Sequence, residues 1–396
     1  MLTTLLLGLG VSMIVFILLV SKQVEKAFQH NAKGINLVLG AKGSPLQLVL
    51  CNVYHIDVPT GNIPLKEAQK IAQNKQFVKK AIPISLGDNY AGYRIVGTTT
   101  DYLSLFEAKI LQGRTFSKPL EALLGAGVAQ ELDLKIGSQF VGSHGLNAEG
   151  SHAHEEMKYT VVGILQKSGS VIDKLILTPL ESIWKVHDTH PTTASLKEDY
   201  DHENCDHNHE EIAEDKREIT AMLIQAKNPL AMLNLPRKVN AETNMQMASP
   251  AAEITRLFSL LGIGIDLVRI LALILISIAG LSIFISLFNA LKERKYDLAL
   301  MRGLGVSKHK LVGQMLLEGI FLAMLGLITG LLLGHIAVAQ TGIWLAQQGQ
   351  IPLTGFVFFL EEYAVIGFTL AVGILSALIP ALRVYRISVA HVLAER

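Results

Sequence analysis

Residues 267–319 read LVRILALILISIAGLSIFISLFNALKERKYDLALMRGLGVSKHKLVGQMLLEG. The part from Leu267 to Phe288 carries Arg269 as its only charge. A bilayer core about 30 Å thick is crossed by roughly 20 apolar residues in a helix, so this part reads as a membrane span. Lys292, Arg294, Lys295, Arg302, Lys308 and Lys310 follow it closely. A second apolar run then extends from Met315 to Ala339, with Glu318 near its start. Two more runs qualify further out: Leu2 to Val20, with no charge, and Tyr363 to Leu382.

The whole composition agrees. Of 396 residues, 50% are hydrophobic and 17% charged, against about 25% charged in soluble domains. The deficit is concentrated in the four runs, which excludes a wholly soluble enzyme. The net charge of +1, from 35 basic and 34 acidic residues, supplies no field to attract nucleic acid. Two cysteines, Cys51 and Cys205, cannot make a disulfide scaffold. The first run lacks the basic lead and the A-x-A cleavage pattern of a secretory signal, so it reads as an uncleaved helix.

Orientation follows from basic residues in short loops. The 291–313 loop is basic, and Arg383, Arg386 and Arg396 follow the fourth run, whereas residues 340–362 have no Lys or Arg and end in Glu361 and Glu362. The first two therefore face the cytoplasm, and residues 21–262 lie outside. The chain divides into a first membrane helix (1–21), an external α+β domain (22–250), a stalk with the second membrane helix (251–290), a cytoplasmic loop (291–314), a third membrane helix (315–340), an external loop (341–362), a fourth membrane helix (363–383) and a cytoplasmic tail (384–396).

In the external domain, residues 35–50, 91–100, 134–140 and 159–165 read as strands, the third entered through a turn at Gly137. Residues 65–80 read as an exposed helix with Leu65, Ala68, Ile71 and Ala72 on one stripe. Strands mixed with short helices give an α+β domain. The helical pattern of 250–266 runs into the second span and predicts one stiff helix of about 38 residues, roughly 57 Å long. Asp266 and Arg269 are spaced to pair near the membrane edge.

Eight of the 13 histidines fall between residues 144 and 209. The densest stretch is DYDHENCDHNHEE at 199–211, where His202, Cys205, His207 and His209 lie among acidic residues. Imidazole and thiolate suit zinc and similar borderline-soft ions. The spacing is not that of a closed zinc site, so the 187–211 segment reads either as a polar loop that collects metal loosely or as a solvated loop without a ligand. Cys205 pairing with Cys51 is a further alternative in an oxidising compartment.

No G-x-x-x-x-G-K-[ST], G-x-S-x-G, H-E-x-x-H or Rossmann fingerprint occurs. The chain reads as a non-enzyme without a cofactor of its own beyond zinc at the histidines, and any energy from ATP must come from a partner. Gly326, Gly330 and Gly334 form a small-residue ridge for close helix packing, within the chain or between copies. His335 beside it reads as a satisfied polar group, with an ion ligand as the alternative.

In the 292–319 loop, two helical patterns meet at Gly303-Leu304-Gly305, and Ser307 is placed to cap the second. Leu298, Met301 and Arg302 share one face, with Glu293, Arg294 and Asp297 nearby. Such a helix docks into a groove of a cytoplasmic partner or rests on lipid headgroups. The run ERKYDLALMRGLGVS at 293–307, LLEG at 316–319 and IPALRVYRISVAHVLAE at 379–395 resemble the FtsX/MacB-type ABC transporter permease domain. DYLSLFEAKILQGRTF at 101–116, LKIGSQF and YTVVGIL resemble that family's periplasmic core domain.

The resemblance implies a dimeric permease, homo- or heteromeric, in a bacterial inner membrane. A separate cytoplasmic ABC ATPase would bind ATP and touch Glu293, Arg294, Asp297, Leu298, Met301, Arg302, Gly303 and Gly305. ATP-driven motion would pass along the stalk to the periplasmic domain, a mode called mechanotransmission. The cargo class it implies is a lipoprotein or other amphiphile, whereas the histidines suggest a metal-related one. Two alternatives stand beside transport: a regulator of a periplasmic hydrolase, and a membrane-anchored metal sensor. The missing basic lead and the histidine-rich insertions depart from the family pattern.

Overall fold

The computed structural model of the protein describes residues 2–144, 153–188, 217–347 and 353–383. In chain order, the first elements are α1 (Leu2–Asn31), β1 (Leu37–Ala41), α2 (Pro45–Val53), β2 (Ile63–Pro64), α3 (Leu65–Ala72), β3 (Val78–Tyr90), β4 (Tyr93–Thr98) and α4 (Tyr102–Leu105). Then come β5 (Ile110–Gly113), β6 (Glu121–Leu124), α5 (Ala126–Glu131), β7 (Gln139–His144), β8 (Ala153–Leu165), β9 (Leu175–Pro179) and α6 (Leu180–Asp188). The last are β10 (Glu218–Ile219), β11 (Ala221–Ala226), α7 (Pro229–Glu242), β12 (Met245–Ala248), α8 (Pro250–Glu293), α9 (Lys295–Gly303), α10 (Lys308–Gln347) and α11 (Glu362–Arg383). The chain forms two compact units, Met1–Lys26 with Ser259–Arg396, and Ala27–Phe258.

The first unit is a bundle of the four helices long and apolar enough to cross a membrane, α1, α8, α10 and α11. Lipid is as apolar as leucine, so such helices associate through close van der Waals fit at small residues. A Cβ placed at Gly326 would lie 2.7 Å from Leu7 Cδ2, one at Gly330 would lie 2.6 Å from Val11 Cβ, and one at Gly334 would lie 2.9 Å from Val15 Cγ1. The glycine ridge of α10 is thus a groove that receives α1 of the same chain. Residue numbers rise together along both helices, so α1 and α10 run parallel, as two spans leaving the same side of a membrane must. Gly10 sets α1 equally close to Ile276 of α8, and Gly319 and Gly373 of the α10–α11 contact face Ala377 and Ala323. Leu7, Val11, Val15 and Leu19 are fully buried in the bundle core with Ala272, Ile276, Ala279 and Ile283.

The second unit is built on a mixed sheet in the order β12-β1-β11-β3-β4-β9-β6-β8-β5, with β7 pairing β3 and β8. The β4–β9 and β6–β8 pairs are parallel. Its central strands are buried on both faces, which explains their continuous apolar runs. On β4, Val96 joins the core formed with α2 and α4, while Ile95 joins the core formed with α5 and α6. On β1, Val38 faces the first of these cores, and Leu37 and Leu39 face α3 and α7. The C-terminal end of α1 and the first turns of α8 belong to this unit. Phe28 packs against Phe258 at 5.7 Å and Tyr54 at 4.6 Å between ring centroids, beside Ile254 and Leu257.

Four expectations change. Residues 45–50 are helical rather than extended, because Ser44 caps α2 and Pro45 occupies its first turn. The 65–80 helix stops at Ala72, and Val78 already starts β3. Gly137 does turn, with φ +88°, but the strand begins only at Gln139. The helix from Pro250 is longer than expected, at 44 residues. Asp266 and Arg269 pair at 2.9 Å on its exposed side.

Buried polar groups tie α2 to the sheet. Arg94 Nη1 lies 3.4 Å from Cys51 Sγ, and Nη2 donates to the Asp57 carbonyl at 2.6 Å. Burial pushes the Cys51 thiol up, and among the described residues this cysteine has no disulfide partner. Its proposed partner Cys205 lies outside the described residues. His55 Nε2 bonds to the Tyr102 hydroxyl at 2.9 Å. Burial first, then Arg94, pushes the His55 pKa down to about 3. The unfolded chain takes up this proton near the ordinary histidine value of about 6.5. The folded form resists it, so stability is full above about pH 6.5 and is lost as pH falls toward 3. Thermal unfolding from about pH 7 to 4 should show a smaller fall in midpoint for His55→Gln than for the wild type; parallel curves would rule this group out.

Candidate functional site

The membrane unit carries a short helix, α9, between α8 and α10. Its last turn is closed by Gly305 in the left-handed region, φ +95°, with Gly305 N–H donating to the Arg302 carbonyl and Val306 N–H to the Met301 carbonyl. That is a Schellman closure, and Met301 and Val306, the two residues its longer bond joins, both pack against the Leu298 cluster. Gly305 performs the chain reversal, Gly303 is the last helical residue, and Ser307 directly precedes α10.

The two faces of α9 differ. Leu298 is buried in a cluster with Leu291, Leu311, Met315 and Ala381, and Met301 packs half-buried against it. These side chains bolt the helix to the ends of α8, α10 and α11. The outward face carries Tyr296, Leu300 and Leu304, which are 41%, 46% and 80% exposed. Glu293, Arg294 and Asp297 are exposed, Arg302 is half-buried, and Asp297 in the first turn with Arg302 in the last complements the helix dipole. The charged residues expected to meet a partner therefore lie on the surface, whereas Leu298 and Met301 face inward. Tyr296, Leu300 and Leu304 were missed by pattern reading, although their four-residue spacing marks one helix face.

His202, Cys205, His207 and His209 lie outside the described residues. Among the described residues no group of three or more His, Cys, Asp or Glu side chains could hold a metal ion. His335 meets the carbonyl of Gly355 at 2.7 Å and Glu362 at 2.9 Å.

On α8, Leu267, Leu271, Ile274, Ile278, Leu281 and Ile285 are all about half exposed. They alternate at spacings of four and three, so they lie along one exposed apolar face of the helix in the pattern of an a/d seam.

A four-span membrane unit, a long helix leading from an external mixed domain, and a bolted cytoplasmic helix define a membrane permease with a large extracytoplasmic domain. The family profile for the MacB-like periplasmic core domain matches residues 1–229. That for the FtsX-like permease C-terminal domain matches residues 269–389. The chain belongs to the FtsX/MacB-like ABC permease family. No curated protein matches the sequence. Solved structures similar to it include the periplasmic region of MacB from Actinobacillus actinomycetemcomitans, at 9% identity and TM-score 0.34, over 58% of this chain and 97% of that one. The extracellular domain of the noncanonic ABC-type transporter YknZ from Gram-positive bacteria aligns at 11% identity and TM-score 0.30, over 54% and 100%. A domain of a putative permease protein from Porphyromonas gingivalis aligns at 13% identity and TM-score 0.26, over 55% and 89%. At these scores the structures add nothing to the family assignment, which the profiles carry.

Leu298→Ala should lower the stability of the full chain by about 2–5 kcal/mol, as deletion of a packed leucine does. Leu304→Ala should stay within about 0.5 kcal/mol. Denaturant unfolding of both variants checks this; equal losses would contradict the two-faced reading of α9.

Proposed function

We propose that the chain couples ATP turnover by a separate cytoplasmic ABC ATPase to motion of its extracytoplasmic domain. The observation that carries this reading is α9, a helix fixed by Leu298 and Met301 while Tyr296, Leu300 and Leu304 face outward. An apolar ridge ringed by Lys292, Glu293, Arg294 and Asp297 suits a groove on a protein partner. A rigidly mounted helix passes on a push that a free loop would absorb. Two further features support the reading: the length of α8, and the aromatic contact that joins the ends of α1 and α8 in the external core. The proposed contact between two permease copies, identical or related, is the α8 seam. The proposed cargo is a lipoprotein or other amphiphile, as the family resemblance implies. A second cargo, zinc or a zinc-binding molecule, is favoured by the residues of 199–211.

Reconstitution of the full chain with its co-purifying ATPase tests the reading. Leu300→Asp combined with Leu304→Glu should return ATP turnover to the level of the ATPase alone while leaving the unfolding midpoint of the permease in place. Undiminished stimulation would overturn the coupling role. Zinc in the same assay separates the cargoes. Stimulation by zinc that is lost on deleting 199–211 supports a metal cargo, and indifference to zinc leaves the amphiphile.

A further inference from the structure

Glu362, the first residue of α11, is fully buried in an otherwise apolar bundle. Its Oε1 accepts the Phe359 N–H at 2.8 Å, and its Oε2 lies 2.9 Å from His335 Nε2. His335 Nδ1 lies 2.7 Å from the Gly355 carbonyl, and the imidazole stacks on Phe358 at 4° between planes. A carbonyl oxygen only accepts, so Nδ1 carries a proton. Nε2 and Oε2 then face each other across a gap that needs one proton, whichever atom holds it. With that proton removed, a nitrogen lone pair faces a buried carboxylate, which is costly in a low-dielectric interior. A second proton has no acceptor, because both carboxyl oxygens already face donors. The geometry fits one proton.

We propose that His335 and Glu362 form a one-proton binding site whose occupancy latches the 353–361 loop across the outer ends of α10 and α11. The loop is gripped at both of its ends. Thr354 exchanges two hydrogen bonds with Gln23 of α1, its N–H donating at 2.8 Å and its carbonyl accepting at 2.9 Å. Gly355 is held by His335, and Phe359 by Glu362. The loop presents Phe356 and Leu360 almost fully exposed, beside Phe358. The bond between His335 and Glu362 joins α10 to α11, so loss of its proton sets the Nε2 lone pair against the carboxylate and pushes apart the two side chains that hold Gly355 and Phe359.

Other charged groups nearby have partners of their own. On α1, Lys22 pairs with Glu361 at 2.8 Å, Lys26 lies 4.6 Å from the Phe359 ring centroid, and Glu25 is one residue away. On α8, Asp266 and Arg269 pair with each other. Tyr363 follows on α11, its ring against Phe358. The Lys22–Glu361 pair is half exposed and is the competing source of a pH response.

Hydrogen–deuterium exchange of the 353–361 amides, in the full chain in lipid nanodiscs and corrected for intrinsic rates, tests the proposal across about pH 5–9. Wild-type protection should fall by about tenfold or more in one single-proton step as pH rises. Glu362→Gln keeps an acceptor for Phe359 and a donor for Nε2 but cannot exchange the proton, so protection should stay high with no step. Lys22→Gln should keep the wild-type step. A flat wild-type profile, a step retained in Glu362→Gln, or a step lost in Lys22→Gln would each overturn the proposal. If Glu362→Gln does not fold, His335→Gln decides: loss of the step supports the site, and an unchanged step refutes it.

Discussion

The close approach of α1 to α10 is the constraint on which the membrane unit depends. Leu7, Val11 and Val15 occupy the surface where Gly326, Gly330 and Gly334 have no side chains. Hydrophobicity gives no preference for helix over lipid, so the fit itself must hold the helices together. α1 is separated from the other three spans by the whole external domain in sequence, and without this groove it would have no specific seat. Gly10, on a neighbouring face, then lets α1 meet α8. One helix is wedged between two others, and the bundle is closed by the small-residue contacts of α10 with α11.

This packing has a mechanical meaning for an ABC-type permease. α9 is fastened to α8, α10 and α11 through the cluster around Leu298. Among the described residues α1 has no place in that cluster, and it packs against α10 and α8 instead. The ends of α1 and α8 meet again in the external domain at Phe28 and Phe258. Under the proposed coupling, a displacement at α9 would have two helical routes, with the glycine groove as the joint that engages the first of them.

Much of this was legible from residues alone. Four long apolar runs located the spans, the basic loop set their direction, and four-residue glycine spacing marked a packing ridge, though not its occupant. The occupant is a tertiary fact, since any apolar helix satisfies the ridge on paper. The extended reading of 45–50 failed because apolar runs of that length fit strand and helix alike, and the Ser-Pro start was the overlooked signal. The inward turn of Leu298 was hidden for a related reason: the amphipathic face of α9 looked like a docking face, but its own membrane unit uses it first. The His335–Glu362 contact joins residues on different helices that no spacing rule connects. The histidine-rich stretch remains a matter of composition, because it lies outside the described residues.

The most direct measurement is a double-mutant cycle at the groove, read as unfolding of the full chain in nanodiscs. The three atoms nearest a Cβ at Gly326 all belong to the Leu7 side chain, whereas a Cβ at Gly330 also lies 2.7 Å from the Gly8 carbonyl oxygen. Gly326→Ala should therefore destabilise the chain, and Leu7→Ala, which removes Cγ and Cδ2 but keeps the Cβ at 2.9 Å, should rescue it in part, with a coupling of about 1 kcal/mol or more. Gly330→Ala should not be rescued by Val11→Ala. Strictly additive effects at 326 and 7 would contradict the seat of α1 in the α10 groove, and with it the first of the two routes.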